Sequence, residues 1–443
     1  MAVTLDQVTQ TKKTEVGSYF ISNYPPFSTW STEHVPAALA AINSPPKQNS
    51  RLGLYLHIPF CRKRCKFCYF RVYTDKNADE VETYLSALSR EIALYSKRQG
   101  FGDRQFEFVY FGGGTPSFLS NAQLERVVER INQNWTWEAA KEVTFECEPG
   151  TLKQSKLQTI KKIGVTRLSL GVEHFDDEVL SANGRAHKSP EIFRAYEWVR
   201  EVGFQQVNID LIAGMLGDTE DKWKATVEKA VAMDPDSVTI YQMEVPFNTT
   251  IARESKAAGH EGETPIASWA EKRAWVDYAF RQFEAHGYKV SSAYTLVKPS
   301  THAGFVYRDS LWRGADLVGT GVASFGHFQG VHYQNVDKWE DYIAHLDAGE
   351  LPIHRALPVT PHQKLIREMI LLMKTGKLDV AYFQQKFGVN IIAEFGDAFA
   401  SLETEGWAHL AADHVQLTRD GLLRVDSLLP RFFEPQHRGI RYT

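Results

Sequence analysis

Six short apolar runs, each followed by a stretch of helical character, constrain the fold of this chain more than any other feature. They are LGLYLHI (52–58), FEFVYF (106–111), EVTFEC (142–147), RLSLGVE (167–173), VNIDLIAG (207–214) and SVTIYQME (237–244). In the first intervening stretch Val81, Tyr84, Leu85, Leu88, Ile92 and Tyr95 recur with the helical period, and later stretches stop at glycines such as Gly164 and Gly203. Strands that alternate with helices make a parallel sheet, so the fold class is α/β. Six such units fit a partial (β/α)6 barrel of the TIM type better than a short doubly wound sheet, and functional side chains are then expected at the C-terminal strand ends.

The rest of the 443 residues divides around this barrel. Residues 1–50 read as an N-terminal arm, with the stretch YPPFSTW (Tyr24, Pro25, Pro26, Phe27, Trp30) and a second Pro pair at Pro45 and Pro46. Its aromatics either staple the arm onto the body or help to close the active site. Residues 51–355 hold the barrel and an α/β extension. Pro358 and Pro361 mark the start of a small helical/winged module, 356–443, with the runs QKLIREMILLMK, VAYFQQKF and HVQLTRDGLLRV. That order resembles a DNA-binding winged helix, but no basic recognition face accompanies it, so a lid or packing role is expected. Lys plus Arg is 50 against 54 Asp plus Glu, without long one-sign runs, which argues against nucleic acid as a partner. No apolar run approaches the roughly 18 residues of a membrane span, and a cytoplasmic location is expected.

Three of the four cysteines lie within eight residues, as Cys61, Cys65 and Cys68; Cys147 stands alone. The spacing C-x3-C-x2-C on one loop after a strand suits three thiolates on three irons of a [4Fe–4S] cube, leaving the fourth iron open to a small ligand. Structural zinc would need a fourth ligand, and the nearby His57 precedes the loop on the strand. Three unrelated buried thiols are the other alternative. Arg62, Lys63, Arg64 and Lys66 would favour thiolates and offset the charge of a cluster.

The C-x3-C-x2-C word resembles the signature of radical S-adenosylmethionine (SAM) enzymes. YLHIPFC (55–61), YFGGGTP (110–116), FECEPGT (145–151), RLSLGVEHF (167–175), GRAH (184–187) and NIDLIAGM (208–215) resemble the oxygen-independent coproporphyrinogen dehydrogenase family across residues 52–430. The resemblance implies a radical SAM barrel, a C-terminal module of that family's type, and two cofactors: a [4Fe–4S] cluster on Cys61, Cys65 and Cys68, and SAM, in two copies. Gly112, Gly113 and Gly114 would leave backbone N–H groups uncovered for the methionine part of the first SAM, with Thr115 adding a hydroxyl; Glu146 would take the ribose, and Tyr55 and Phe67 would face the adenine. Positions matching a second SAM site are Phe67, Gly114, Thr115, Glu173, Arg185, Asp210 and Gln242, where Glu173 departs from the family's glutamine. Glu173 and Asp210 join the three cysteines as candidate catalytic residues. An electron donor such as flavodoxin or ferredoxin is the implied protein partner.

Three functions compete within the resemblance. The dehydrogenases extend the motif to a fourth Cys, but Cys68 is followed by Tyr69 and Phe70. The haem-chaperone branch carries HNxxYW, and here the segment reads YRDSLW (307–312). On those two departures the chain is most similar to the class C radical SAM methyltransferases and cyclopropane-forming enzymes. The expected reaction is transfer of a methyl or methylene group to an sp2 carbon of an unsaturated or aromatic small molecule. Oxidative decarboxylation of coproporphyrinogen III and haem carriage are the alternatives. Tyr307, Arg308, Asp309, Trp312, His327, Gln334 and Asn335 are candidates for the substrate side.

Overall fold

The computed structural model describes residues 20–47, 50–259, 266–299 and 304–440. The six apolar runs form parallel strands that neighbour one another in chain order: β1 (Leu52–Ile58), β2 (Phe108–Gly113), β3 (Glu142–Cys147), β4 (Arg167–Glu173), β5 (Gln206–Ala213) and β6 (Ser237–Gln242). The α/β class and the partial-barrel order are as the sequence implies. β2 begins two residues later than its apolar run, because Phe106 packs in the preceding loop against Trp135.

Strand alternation separates two chemistries. One face presents Leu54, Leu56, Val109, Phe111, Val143, Phe145, Leu168, Leu170, Val207 and Ile209 to the surrounding helices in one continuous core. The other presents Tyr55 beside Tyr110, Tyr110 beside Thr144, Glu146 beside Ser169, and Ser169 beside Asn208. A polar inner face is costly to bury unless its groups pair with one another or with a ligand.

The sheet continues past both ends of the parallel set. Beyond β6 lie β7 (Lys289–Val290) and β8 (Thr295–Val297), with β8 antiparallel to β6. Beyond β1 lies β9 (Asp316–Thr320), parallel to it, then the antiparallel β10 (Phe325–Phe328), β11 (Val331–Asn335) and β12 (Ile353–Pro358). The C-terminal module has its own core around the helix Pro361–Met373 and a three-stranded sheet of β13 (Lys377–Asp379), β14 (Ala408–Leu410) and β15 (His414–Leu417).

The arm runs between these parts. Ser31 forms an antiparallel bridge with Ala356 of β12, Trp30 stacks on His332 of β11 at 5.1 Å, and the helix Val35–Asn43 buries Ala38 and Ile42. At its start the Phe20 amide donates to Glu244 (2.6 Å), the Ile21 amide to Asp426 (2.9 Å), and Lys374 Nζ to the Ile21 carbonyl (2.6 Å). Phe27 and Trp30 therefore staple the arm to the sheet extension, while the Tyr24 ring packs on Phe433 and His437 of the C-terminal module. No helix among the described residues is long and apolar enough to cross a membrane.

Candidate active site

The cysteine loop leaves the C-terminal end of β1 and is pinned before it turns: the Cys61 amide donates to the Tyr73 carbonyl (3.0 Å) and the Tyr73 amide to the Pro59 carbonyl (2.7 Å). The Lys66 amide donates to the Asn183 carbonyl (2.9 Å), tying the loop's middle to the segment after β4. All three thiols are half-buried. Thr115 Oγ1 donates to Cys61 Sγ at 3.3 Å, and Arg185 Nη1 donates to Cys65 Sγ at 3.3 Å. Burial pushes the Cys61 thiol up to about 12 and that of Cys68 up to about 11, so ligation must displace protons. Among the described residues no three His, Cys, Asp or Glu side chains converge as ligands of a single ion would. A cube takes each thiolate on a different iron, which three thiols spread along one loop can satisfy. The residues present fit that group. Cys147 is buried at the end of β3, beside Ser117 and Lys156, and burial holds its thiol neutral.

The amides around the three glycines at the end of β2 are paired within the protein. The Gly113 amide donates to Glu146 Oε2 (3.1 Å), the Gly114 amide to the Ile58 carbonyl (2.9 Å), and the Thr115 amide to the Phe60 carbonyl (2.8 Å), so these N–H groups are already committed. What glycine provides is close approach. A Cβ on Gly114 would stand 2.9 Å from the backbone of Ile58 and Phe60, and one on Gly113, at φ +112°, would meet the His57 ring at 2.5 Å.

Three carboxyls face the interior at the strand ends. Glu146 accepts from Tyr110 Oη (2.7 Å) and from the Gly113 amide, and burial pushes it up to about 7. Glu173 is also pushed up to about 7 by burial; it sits at φ +64° with Arg185 Nη1 3.6 Å away. Asp210 accepts from Ser169 Oγ (2.7 Å) and Asn208 Nδ2 (3.0 Å) and is raised, again chiefly by burial. Arg185 is fixed by a 2.7 Å bond to the Gly171 carbonyl. Such a group of buried acids, unequally paired, suits a ligand that brings positive charge and hydroxyls.

Tyr55 stacks on Tyr110, and Tyr307 packs on Tyr110 at 4.4 Å with its ring tilted by 37°, giving an aromatic wall beside Glu146. Phe67 packs against the small apolar cluster of Val179, Ile212, Met215 and Met243. Gln242 is placed differently: its amide nitrogen donates to the Leu423 carbonyl (2.8 Å), joining β6 to the C-terminal module. Of the substrate-side candidates, only Tyr307 joins this wall. Arg308 pairs with Asp309 and Ser291 and lies 5.3 Å from the Trp312 ring centroid. His327 faces His332, Gln334 accepts from Arg355, and Asn335 donates to Glu91, all within the sheet extension. Two residues escaped the sequence reading: Tyr110, whose word YFGGGTP drew notice only for its glycines, and Glu148, masked by its neighbour Glu146.

Residues 55–230, from β1 through the helix Glu220–Met233, match the radical SAM superfamily, and residues 359–424 match the HemN C-terminal domain. The chain thus carries a radical SAM domain followed by a HemN C-terminal domain. Among curated proteins, the chain is 28% identical to the heme chaperone HemW of Bacillus subtilis over 383 residues, 85% of this chain and 98% of that one. It is 24% identical to the oxygen-independent coproporphyrinogen III oxidase of Synechocystis over 432 residues, 93% and 91% of the two chains, and 28% identical to that of Pseudomonas aeruginosa over 402 residues, 88% and 84%. Among solved structures, coproporphyrinogen III oxidase of Escherichia coli has the same fold, with a TM-score of 0.79, 23% identity, and coverage of 93% of this chain and 96% of that one.

These relatives overturn the expectation of methyl or methylene transfer. That expectation rested on one absent thiol after Cys68 and one altered word at 307–312. An absent residue that holds no iron of the cube does not define a reaction, and the likeness to oxidases and a haem chaperone runs through nearly the whole chain.

Proposed function

We propose that this protein catalyses the oxygen-independent oxidative decarboxylation of coproporphyrinogen III or a closely similar propionate-bearing tetrapyrrole. The observation that carries the reading is the extent of the match to the Synechocystis oxidase, 93% of this chain and 91% of the relative, across both the radical SAM and the C-terminal domains. Cys61, Cys65 and Cys68 would hold the [4Fe–4S] cluster, and cluster and SAM, when bound, supply a 5′-deoxyadenosyl radical that abstracts hydrogen. At each propionate a hydrogen atom would pass from the β-carbon to that radical, carbon dioxide would leave, and one electron would pass to an external one-electron acceptor, which leaves a vinyl group. Tyr110 and the Gly113 amide orient Glu146 so that its carboxyl faces a ribose. Glu173, Arg185 and Asp210 form the position for a second SAM, Arg185 pairing with its carboxylate and the acids with its cationic end. The packed rings of Tyr55, Tyr110 and Tyr307 exclude water from the reacting carbon. A flavodoxin or ferredoxin is the proposed electron donor.

The test is anaerobic turnover of the reconstituted protein with coproporphyrinogen III, SAM and a reductant. Divinyl product with matching carbon dioxide, and no label from SAM carrying a deuterated methyl, is the expected result; an unaltered substrate would sink the reading. A second reading, haem carriage, is favoured by the match to 98% of the Bacillus chaperone. It predicts a stoichiometric haem complex and no consumption of the porphyrinogen.

A further inference from the structure

The loop that bears the cysteines is gripped from outside the barrel by a carboxylate that takes no part in the site described above. Glu148 follows β3 and caps the turn Pro149–Thr151, accepting from the Gly150 amide at 3.2 Å. Its carboxylate accepts from Arg62 Nε (3.1 Å) and twice from Arg62 Nη2 (3.0 and 2.8 Å), and its own amide donates to Ser117 Oγ (3.0 Å). His187 Nδ1 lies 2.9 Å from Glu148 Oε1 and Nε2 3.3 Å from the Val172 carbonyl, so the ring is held between two acceptors.

Arg62 adjoins Cys61, and His187 stands two residues after Arg185, the residue that donates to Cys65 Sγ. The contacts therefore close a ring: Cys61, Arg62, Glu148, His187, Arg185, Cys65. Glu148 is the one member that touches both sides of it. A second observation points the same way. A Cβ on Gly150 would stand 2.1 Å from Arg62 Nη2, so only glycine lets that guanidinium lie across the turn and reach the carboxylate.

We infer that Glu148 is a positioning residue: through Arg62 and His187 it sets the cluster loop against Arg185, and so fixes the N–H to sulfur hydrogen bond on Cys65. Such a bond stabilises the more negative, reduced state of a cluster bound there and raises its reduction potential. The inference does not depend on which substrate the enzyme takes.

Two substitutions that conserve every charge test it. Gly150→Ala displaces Arg62 without altering the carboxylate, and its backbone conformation accepts alanine. Glu148→Asp shortens the arm by one methylene. In reconstituted full-length protein, both should lower the midpoint potential of the cluster, read by redox titration, and alter its EPR line shape, while circular dichroism stays that of the wild type. A folded protein that no longer retains the cluster also supports the brace. If Glu148→Asp fails to fold, Gly150→Ala carries the test. The wild-type potential in folded, loaded Gly150→Ala overturns the inference, and so does an equal shift in Glu91→Gln, a buried carboxyl remote from the loop.

Discussion

Glu173 and Glu91 are both buried carboxyls pushed up to about 7 by burial, yet they belong to regions built on opposite plans. Glu91, under the sheet extension, accepts from the Gly321 amide (2.7 Å), Tyr342 Oη (2.6 Å) and Asn335 Nδ2 (2.7 Å). Among the described residues, Glu173, inside the barrel, is met by Arg185 alone, at 3.6 Å. The extension satisfies its buried carboxylate internally; the barrel leaves its own short of partners. Burial accounts for the raised pKa in both places, so a raised carboxyl alone does not mark a site. Missing partners do, because an unmet polar group is stabilised by whatever ligand supplies the hydrogen bond.

That contrast can be broken in four ways, of decreasing force. Cys61→Ala, Cys65→Ala or Cys68→Ala should abolish the cluster's visible absorption and all SAM cleavage, whereas Cys147→Ala, on the helix-facing side of β3, should keep its iron; iron analysis of the four variants decides. Next, Glu173→Ala and Glu146→Gln should weaken SAM binding by about tenfold or more, the worth of a charge-assisted hydrogen bond, with little change in melting temperature. A large fall in stability would place these acids with Glu91. Glu91→Ala should do the reverse, leaving three donors unmet at a cost of roughly 3 kcal/mol while SAM affinity holds, as calorimetry and equilibrium binding would show.

The smallest effect concerns the arm. Burial raises Glu244 to about 8, against an ordinary 4.5. Between those values the folded state binds more protons than the unfolded one, so this group's contribution to stability falls as pH rises from the lower to the upper. Melting temperature should decline from pH 6 to 9, and Glu244→Gln should flatten the decline by a degree or two, about what 1 kcal/mol is worth in a chain of this size. An unchanged slope would show that the acid at the arm's contact does not titrate in that window.

The barrel was legible because alternation and helical period are local: the six apolar runs predicted β1 to β6 with end errors of about two residues. The sheet extension was not, since its strands are four to six residues long and its polar members, His327, Gln334 and Asn335, look from sequence like site residues. Only tertiary structure shows that they meet His332, Arg355 and Glu91 respectively. Within the site, the cysteines, Glu146, Glu173, Arg185 and Asp210 stood in recognisable words, and the structure brings them to one end of the sheet. The pairing of the glycine-loop amides was not legible, because sequence cannot tell an uncovered amide from a close backbone approach. Nor was the tie of Gln242 to the Leu423 carbonyl, 181 residues away.

The arm's contacts carry a consequence for the order in which the molecule can be made. Ile21 meets Asp426, and Tyr24 Oη receives the Glu434 amide, across 405 and 410 residues. These segments leave the ribosome roughly 400 residues apart. β2 to β5 pair only with strands adjacent in the chain and can assemble as they emerge, but Ile21 and Tyr24 cannot make these contacts until the C-terminal module exists. Docking of the arm is thus a late event by geometry, and the cysteine loop is in place well before it. A nascent chain passes through a stage with a formed barrel and an unseated arm, a natural interval for iron and sulfide to be delivered.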